Sequence, residues 1–417
     1  MRKILIVGAG QAGMQLALSL QAEGYEVTVM SARTPDELRD GWPTSTQVMF
    51  DPALAYERAY DLNLWEDEAP RIPAVGISVS PEPGVRALKF DGPWEPYAMS
   101  VDQRLKMSTW MELFEDRGGR VIYHPVMTSD LAGLASMYDL TLIAAGKGEI
   151  VELFDRDPVR SKYVTPGRAL SAIYLHGMVE PDDFPAGSMR INVAPGVGEL
   201  FVISALTQFG PSRVAFVEAI PDGPFDCFWD RPRPDEHLRR LQHLMLEHMP
   251  WEGELMRDCE PTDARASLSG AFTGTIRKPY AEVADDTFVF GMGDVVVVND
   301  PIAGQGANNA AHCAGIYTQA ILERGDQPFD PEWMQATFEI FWETRAQHST
   351  GLTDALLNPL PDHVQQVLGA ATQHQAVADR FTRLFPHPED LGPFLGDPET
   401  ALAYVAEVAE ADTAARA

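Results

Sequence analysis

Hydrophobic and polar positions change rhythm along the 417-residue chain, and each change marks an element. Residues 4–7 form a short continuous apolar run that stops at Gly8, Gly10 and Gly13 in the string GAGQAG, as a buried parallel strand entering a tight turn would. Ala12, Leu16, Ala17 and Leu20 then recur at helical spacing, Gly24 stands where a helix C-cap would, and residues 26–30 predict a second strand. Together these make a βαβ start. Residues 40–97, rich in Pro, Gly and Trp, predict loops and short strands around a ligand. Residues 102–115 return to a helical pattern closed by Arg117, Gly118 and Gly119, and DLTLIAAG at 139–146 predicts another buried strand ending in glycine. From 170 to 220, β-like runs alternate with turns such as Ala194-Pro195-Gly196, predicting an antiparallel sheet inserted into the α/β domain. Residues 332–417 read as helical, and neither an internal repeat nor a low-complexity linker interrupts the chain.

Composition changes the picture by exclusion. With 45% hydrophobic and 22% charged residues the chain reads as globular, with room for two or three domains. Its 32 Lys and Arg against 61 Asp and Glu leave a net charge of -29, which repels nucleic acid and anionic lipid and leaves small neutral or cationic ligands open. Cys227, Cys259 and Cys313 are far apart and form no CxxC pair, so neither a disulfide framework nor a thiolate metal site is indicated. The apolar start is too short for a signal peptide, and no run reaches the ~18 residues of a membrane span. The expectation is a cytoplasmic protein that engages neither nucleic acid nor membrane.

The GAGQAG string follows a predicted strand and opens a predicted helix, the context a dinucleotide fingerprint requires. Gly8 makes the turn, Gly10 leaves room for a pyrophosphate, and Gly13 lets helix and strand pack closely, while the first helical turn at Gln11 and Ala12 supplies N–H donors. The alternative is a glycine-rich turn that binds nothing. The acidic residue expected at the end of the second strand to hold the adenosine ribose is missing. Met30, Ser31 and Ala32 stand there, followed by Arg33, and Asp36 and Glu37 read as solvated loop charges. Weaker dinucleotide binding and an adenine held by Arg33 are both compatible with this departure.

A second signal lies in FVFGMGDVVVVNDPIAGQGANNA, residues 288–310. A β-like run leads into Gly293-Asp294, and after Asp300-Pro301 the residues Gly304-Gln305-Gly306-Ala307-Asn308 enter an alanine-rich helix. This arrangement resembles the FAD-binding monooxygenases of the glutathione-reductase-like fold. The resemblance implies that Asp294 hydrogen-bonds the ribityl chain of FAD, that residues 301–308 frame the isoalloxazine, and that Arg104 approaches the phosphate or ribityl region. Independently, a helix beginning after Gly306 would aim N–H groups at the flavin pyrimidine edge, where reduction places negative charge. The plainer alternative is a glycine-rich loop capping a buried helix.

SVDQRLKMSTWMELFEDRGG at 100–119, YDLTLIAAGKG from Tyr138, APGVGELF at 194–201 and DPIAGQGAN from Asp300 narrow the resemblance to the two-component styrene and indole monooxygenases, over the chain from its first strand to about residue 385. That resemblance implies an epoxidase that receives reduced FAD from a separate NADH-dependent flavin reductase, uses O2 and forms a homodimer. The DG motif through which single-component hydroxylases bind NAD(P)H is absent after Asp139. Ser45-Thr46-Gln47-Val48-Met49 with Ile302-Ala303 resembles the indole branch, whereas the styrene branch typically shows Asn-Thr-Val-Ala-His and a Val-Leu pair. A polar Gln47 and a slim Ala303 suit a bicyclic substrate with a pyrrole N–H. Ser45, Gln47 and Met49 could equally serve to pack and hydrogen-bond the loop. The implied reaction is oxygen transfer from a C4a-hydroperoxyflavin to the C2=C3 bond of indole, leading to indoxyl and indigo, with the flavin carrying the chemistry and no catalytic side chain named. The alternatives are styrene-like alkenes and aryl sulfides as substrates, a self-sufficient NAD(P)H-dependent flavin oxidoreductase, and a flavin-binding protein without catalysis.

The expected architecture is α/β: a glutathione-reductase-like FAD-binding Rossmann domain (residues 1–74, 98–160 and 272–345), a substrate-binding β-sheet domain (75–97 and 161–271) and a C-terminal helical region (346–417). His237, His243 and His248, at spacings of six and five, do not share a helix face as zinc ligands would and are expected at the surface. Phe225, Phe228 and Trp229 are expected in the core. No GxSxG elbow occurs, GKG at Gly146 lacks the rest of a P-loop, and the GxWxWxIP of tryptophan halogenases and the FxGxxxHxxxW of Baeyer-Villiger enzymes are absent.

Overall fold

The computed structural model describes residues 2–416 and contains two large sheets. The first has six strands in the order Tyr280–Ala284, Thr287–Gly291, Leu140–Ile143, Lys3–Val7, Glu26–Ser31 and Arg120–Tyr123. All its neighbours pair in parallel except the hairpin 280–291 at one edge. Both faces are covered, so Ile4, Leu5 and Ile6 are fully buried and the strand reads apolar without alternation. The helix Gln11–Ala22 is buried along ten of its residues and packs beside the long helix Gly306–Arg324.

The second sheet has eight strands, seven of them in the order Glu260–Pro261, Ala169–His176, Gly210–Ala219, Gly198–Thr207, Met189–Ala194, Arg71–Val79 and Leu88–Met99, with Ser267–Gly270 also on Ala169–His176. Its alternation sends one set of side chains, among them Ile191, Phe201, Ile203 and Phe216, toward the C-terminal helices, where Val367, Val377, Phe381 and Phe394 meet them. The opposite set, including Leu200, Val202, Ala215 and Val217, is covered by the helix Pro234–His248.

Between residues 40 and 97 the structure differs from the sequence expectation. A helix, Asp51–Arg58, and two long strands, Arg71–Val79 and Leu88–Met99, occupy most of the segment. Pro93 and Pro96 fall on the strand at the sheet edge, where one side of the ladder needs no donors, and Gly76 lies where the Phe184 ring would stand 2.5 Å from a Cβ. Here Pro and Gly mark an edge and a close approach instead of loops. The histidines also differ. His237 and His248 are buried and only His243 is exposed, because the helix lays its apolar stripe on the sheet and both histidines fall within that stripe. Phe225 and Phe228 are core residues, but Trp229 is 81% exposed.

Candidate functional site

Glycine contacts draw the distant strings together. A Cβ on Gly13 would stand 2.1 Å from the carbonyl oxygen of Gly8, one on Gly293 would stand 2.9 Å from Cβ of Ala12, and one on Gly146 would stand 2.8 Å from Cβ of Asp294. GAGQAG, the end of DLTLIAAG and the Gly293-Asp294 pair therefore meet at one place. Gly10 and Gly306 differ, since a Cβ on either meets nothing within 4 Å, which leaves the backbone of both turns open to a ligand.

The two helices that start here, Gln11–Ala22 and Gly306–Arg324, have no side-chain cap, whereas Thr34, Asp102 and Asp330 cap other helices. Orphan N–H groups and the positive end of the helix dipole at both starts suit an anionic pyrophosphate and an electron-rich reduced ring. Asp294 follows Gly293 and stands against Gly146, where it keeps solvent-exposed surface. Desolvation by the protein around its carboxyl pushes its pKa up to about 6, against the pull of Lys147 and Arg277. The chemistry of this donor set, uncapped N–H groups around one carboxylate, fits FAD. Arg33 is half-buried, with no side-chain partner among the described residues. Arg104 is 4% exposed and its guanidinium is taken up by Asp102 and, through two nitrogens, Asp263, so a phosphate would reach it only by displacing Asp263. The Gln11 side chain turns inward to Glu57, which also pairs with buried Lys106. Only the backbone of Gln11 faces the turn.

Asn308 ties the second glycine string to the 45–50 loop. Its Oδ1 accepts from the Phe50 amide at 2.9 Å, and its Nδ2 donates to the carbonyls of Val48 at 2.9 Å and Gly304 at 2.8 Å. Gln305 donates to the Ala303 and Phe385 carbonyls and accepts from Arg345 at 2.5 Å. Both side chains lock the loop and leave its backbone as the recognition surface, with Ala307 in the first helical turn and Pro301 opening the turn that carries Ile302 and Ala303.

The extended run through residues 47–50 divides its side chains between two cores. Val48 and Phe50 join Ile302 and Ala303 in the apolar cluster on the second sheet, beside Phe201, Phe216 and Trp94. Met49 is buried in the other core, with its sulfur facing Lys106, and Gln47 donates to the Val101 carbonyl at 2.5 Å. The alternation thus places Val48 and Phe50, and not Gln47 and Met49, in the cluster that holds Ile302 and Ala303. That signal was present in the sequence as an odd-even pattern. Ser45 and Thr46 are half-buried, and their hydroxyls have no protein partner among the described residues.

Charged clusters are buried on the second sheet as well. Arg190 and Glu252, 1% exposed each, form a bidentate pair joined by Asn192, and Arg168 pairs with Glu199 through two 2.9 Å contacts. Near Arg168 an open groove of about 570 Å³ is lined by Leu170, Pro221 and Trp229, apart from the glycine turns.

Solved structures share this architecture. A flavin-dependent brominase, Bmp2, matches with a TM-score of 0.61 at 15% identity over 97% of this chain and 92% of its own. The p-nitrophenol 4-monooxygenase PnpA from Pseudomonas putida DLL-E4 matches with a TM-score of 0.61 at 14% identity over 94% and 97%. A flavoprotein/dehydrogenase from Cytophaga hutchinsonii matches with a TM-score of 0.67 at 12% identity over 98% and 100%. At such identities the likeness shows the fold, that of flavin-dependent monooxygenases and halogenases, and the α/β expectation holds. Residues 146–254 match the family model of the styrene monooxygenase A putative substrate binding domain. Styrene monooxygenase StyA from Pseudomonas fluorescens is 30% identical over 398 residues, 93% of this chain and 94% of the relative, and a StyA from a Pseudomonas species is 29% identical over the same share. The chain belongs to the styrene monooxygenase family and is an FAD-dependent monooxygenase.

Proposed function

We propose that this protein is the oxygenase component of a two-component system, that it takes reduced FAD from a separate NADH-dependent flavin reductase, and that it epoxidises the C2=C3 bond of indole with O2. When bound, reduced FAD supplies the activation of oxygen; the chain's own residues bind, orient and exclude water. Gly8, Gly10, Gly13 and the helix start at Gln11 and Ala12 receive the pyrophosphate. Asp294 beside Gly293 accepts from the ribityl hydroxyls, Arg33 stands toward the adenosine end, and the backbone of residues 304–308 faces the ring. Ser45 and Thr46 keep hydroxyls for the substrate side. The observation that carries the indole reading is the slim Ala303, fully buried in the apolar cluster that also holds Val48, Ile302, Phe201 and Phe216, where a small side chain leaves more room for a fused bicycle than a larger one would.

Styrene-type alkenes and aryl sulfides are the second reading, supported by the relatives named styrene monooxygenase. The test supplies FAD, NADH and an unrelated reductase and compares indole with styrene at equal concentration. Blue pigment with a higher kcat/KM for indole is expected, and faster styrene oxide formation without pigment would sink the indole reading. Anaerobic bleaching of oxidised flavin by NADH without a reductase would sink the two-component reading.

A further inference from the structure

Glu218 is fully buried on Gly210–Ala219, and no N–H or O–H donor reaches either of its carboxyl oxygens. The strand register sets it directly opposite Glu199 on Gly198–Thr207, an arrangement that is unfavourable when both are charged. Glu199 is answered by the guanidinium of Arg168, which it engages with both oxygens. The third carboxyl of the cluster is Asp300, 4% exposed, whose Oδ1 accepts from the Ile302 amide at 3.2 Å and so caps the turn Pro301–Ala303. Three carboxyl groups thus share one arginine, and Glu218 and Asp300 face each other without a donor between them.

We propose that Glu218 remains a neutral acid, donates its own proton to Asp300, and thereby acts as a positioning residue that holds the turn of residues 300–304, with Ile302 and Ala303, at the substrate site. The proton removes the charge opposite Glu199, satisfies the Glu218 hydroxyl and gives Asp300 a second donor beside the Ile302 amide. Burial raises the Glu218 pKa well above the usual carboxylate range, and the neighbouring Asp300 and Glu199 push the same way against Arg168. The other charged or titratable groups near Asp300 are Tyr163 and, beyond it, Asp354 with its partner Lys162, so Glu218 is the group of this cluster set to lose a proton as the pH rises. Arg168 also lines the groove beside Trp229, which gives the cluster a route for proton exchange with water. The substrate half of the proposal rests on the function proposed above; the shared proton does not.

Infrared spectroscopy of the protein without substrate tests the shared proton. A carbonyl stretch of a protonated carboxylic acid should persist at mildly alkaline pH, shift on deuteration and vanish in Glu218→Gln. Absence of that band from the wild type, or its survival in Glu218→Gln, overturns the proposal whatever the substrate. The positioning half is read from KM for indole and styrene against pH. Glu218→Val, which has no donor, should raise KM about tenfold, whereas Glu218→Gln, whose amide still donates to Asp300, should rescue it to within about twofold. In the wild type KM should rise with alkaline pH, and in Glu218→Gln it should stay flat. If Glu218→Gln behaves like Glu218→Val, or keeps the wild-type pH profile, Glu218 does not act through its proton.

Discussion

The two sheets solve the burial of polarity in opposite ways. Around the parallel sheet, recognition is left to backbone: uncapped helix starts, glycines that admit close approach, and the single carboxylate of Asp294. On the antiparallel sheet, buried charge is held in paired side chains, Arg190 with Glu252 and Arg168 with Glu199, whose partners come from distant segments. A backbone site tolerates a chain with net charge -29, because N–H groups and helix dipoles attract anions locally without a basic surface. A neutral aromatic substrate makes no such demand, so the second sheet can present an apolar face and keep its charges paired behind and beside it.

The sharpest break in that comparison is expected from Arg190→Met. It strands Glu252 in the core and should cost ~3–5 kcal/mol of stability in urea unfolding while leaving FAD affinity unchanged in the fraction still folded. Replacing both partners by apolar residues of similar volume should recover most of the loss. Gly13→Ala, whose Cβ would meet the Gly8 carbonyl at 2.1 Å, should cost ~1–3 kcal/mol and also weaken FAD binding. Gly10→Ala separates the two effects. The apoprotein melting temperature should stay within about 2 °C of wild type, because the new methyl meets no protein atom. Binding of reduced FAD, measured by anaerobic titration, should weaken about tenfold or more.

Asp294 sharpens the contrast through pH. With its pKa raised from 3.8 to about 6, its ionisation disfavours the apoprotein as pH climbs from about 4 to about 6 and adds no further change above that. An ionised acceptor for the ribityl hydroxyls makes FAD affinity rise through the same upper limit. Asp294→Asn should flatten both curves and bind FAD about tenfold more weakly near neutral pH. A pH effect confined to the antiparallel sheet is expected from His237, which hydrogen-bonds Ser171, stacks on Phe228 and has its pKa lowered to about 4 by burial. As a base with a depressed folded pKa, it contributes stability that is intact above about 6.5 and is lost as pH falls toward about 4. His237→Gln should blunt acid unfolding in that window, as followed by circular dichroism.

The first strand, the glycine turns, the helix 103–116 and the C-terminal helices were legible because each follows from local pattern: an apolar run, a tight turn, a 3.6-residue period. Residues 40–97 were not, since a proline looks the same on an edge strand as in a loop, and only the sheet decides which it occupies. Arg104 reads as a residue approaching the phosphate or ribityl region of FAD, and the sequence gives no sign that Asp263, 159 residues away, would stand against its guanidinium. The loop of residues 45–50 was half legible: its nearness to Ile302 and Ala303 was expected, but which side of the chain met them depended on where the two cores lay.

By itself, then, the order of residues determined the flavin side of this protein, because backbone recognition needs only glycine and a helix start at set spacing. The tertiary structure alone decided which carboxylates are paired, which is buried without a donor, and which odd or even positions of the 47–50 run join which core. Those outcomes depend on strand register and on side chains from remote segments, and a one-residue shift in register would exchange every one of them.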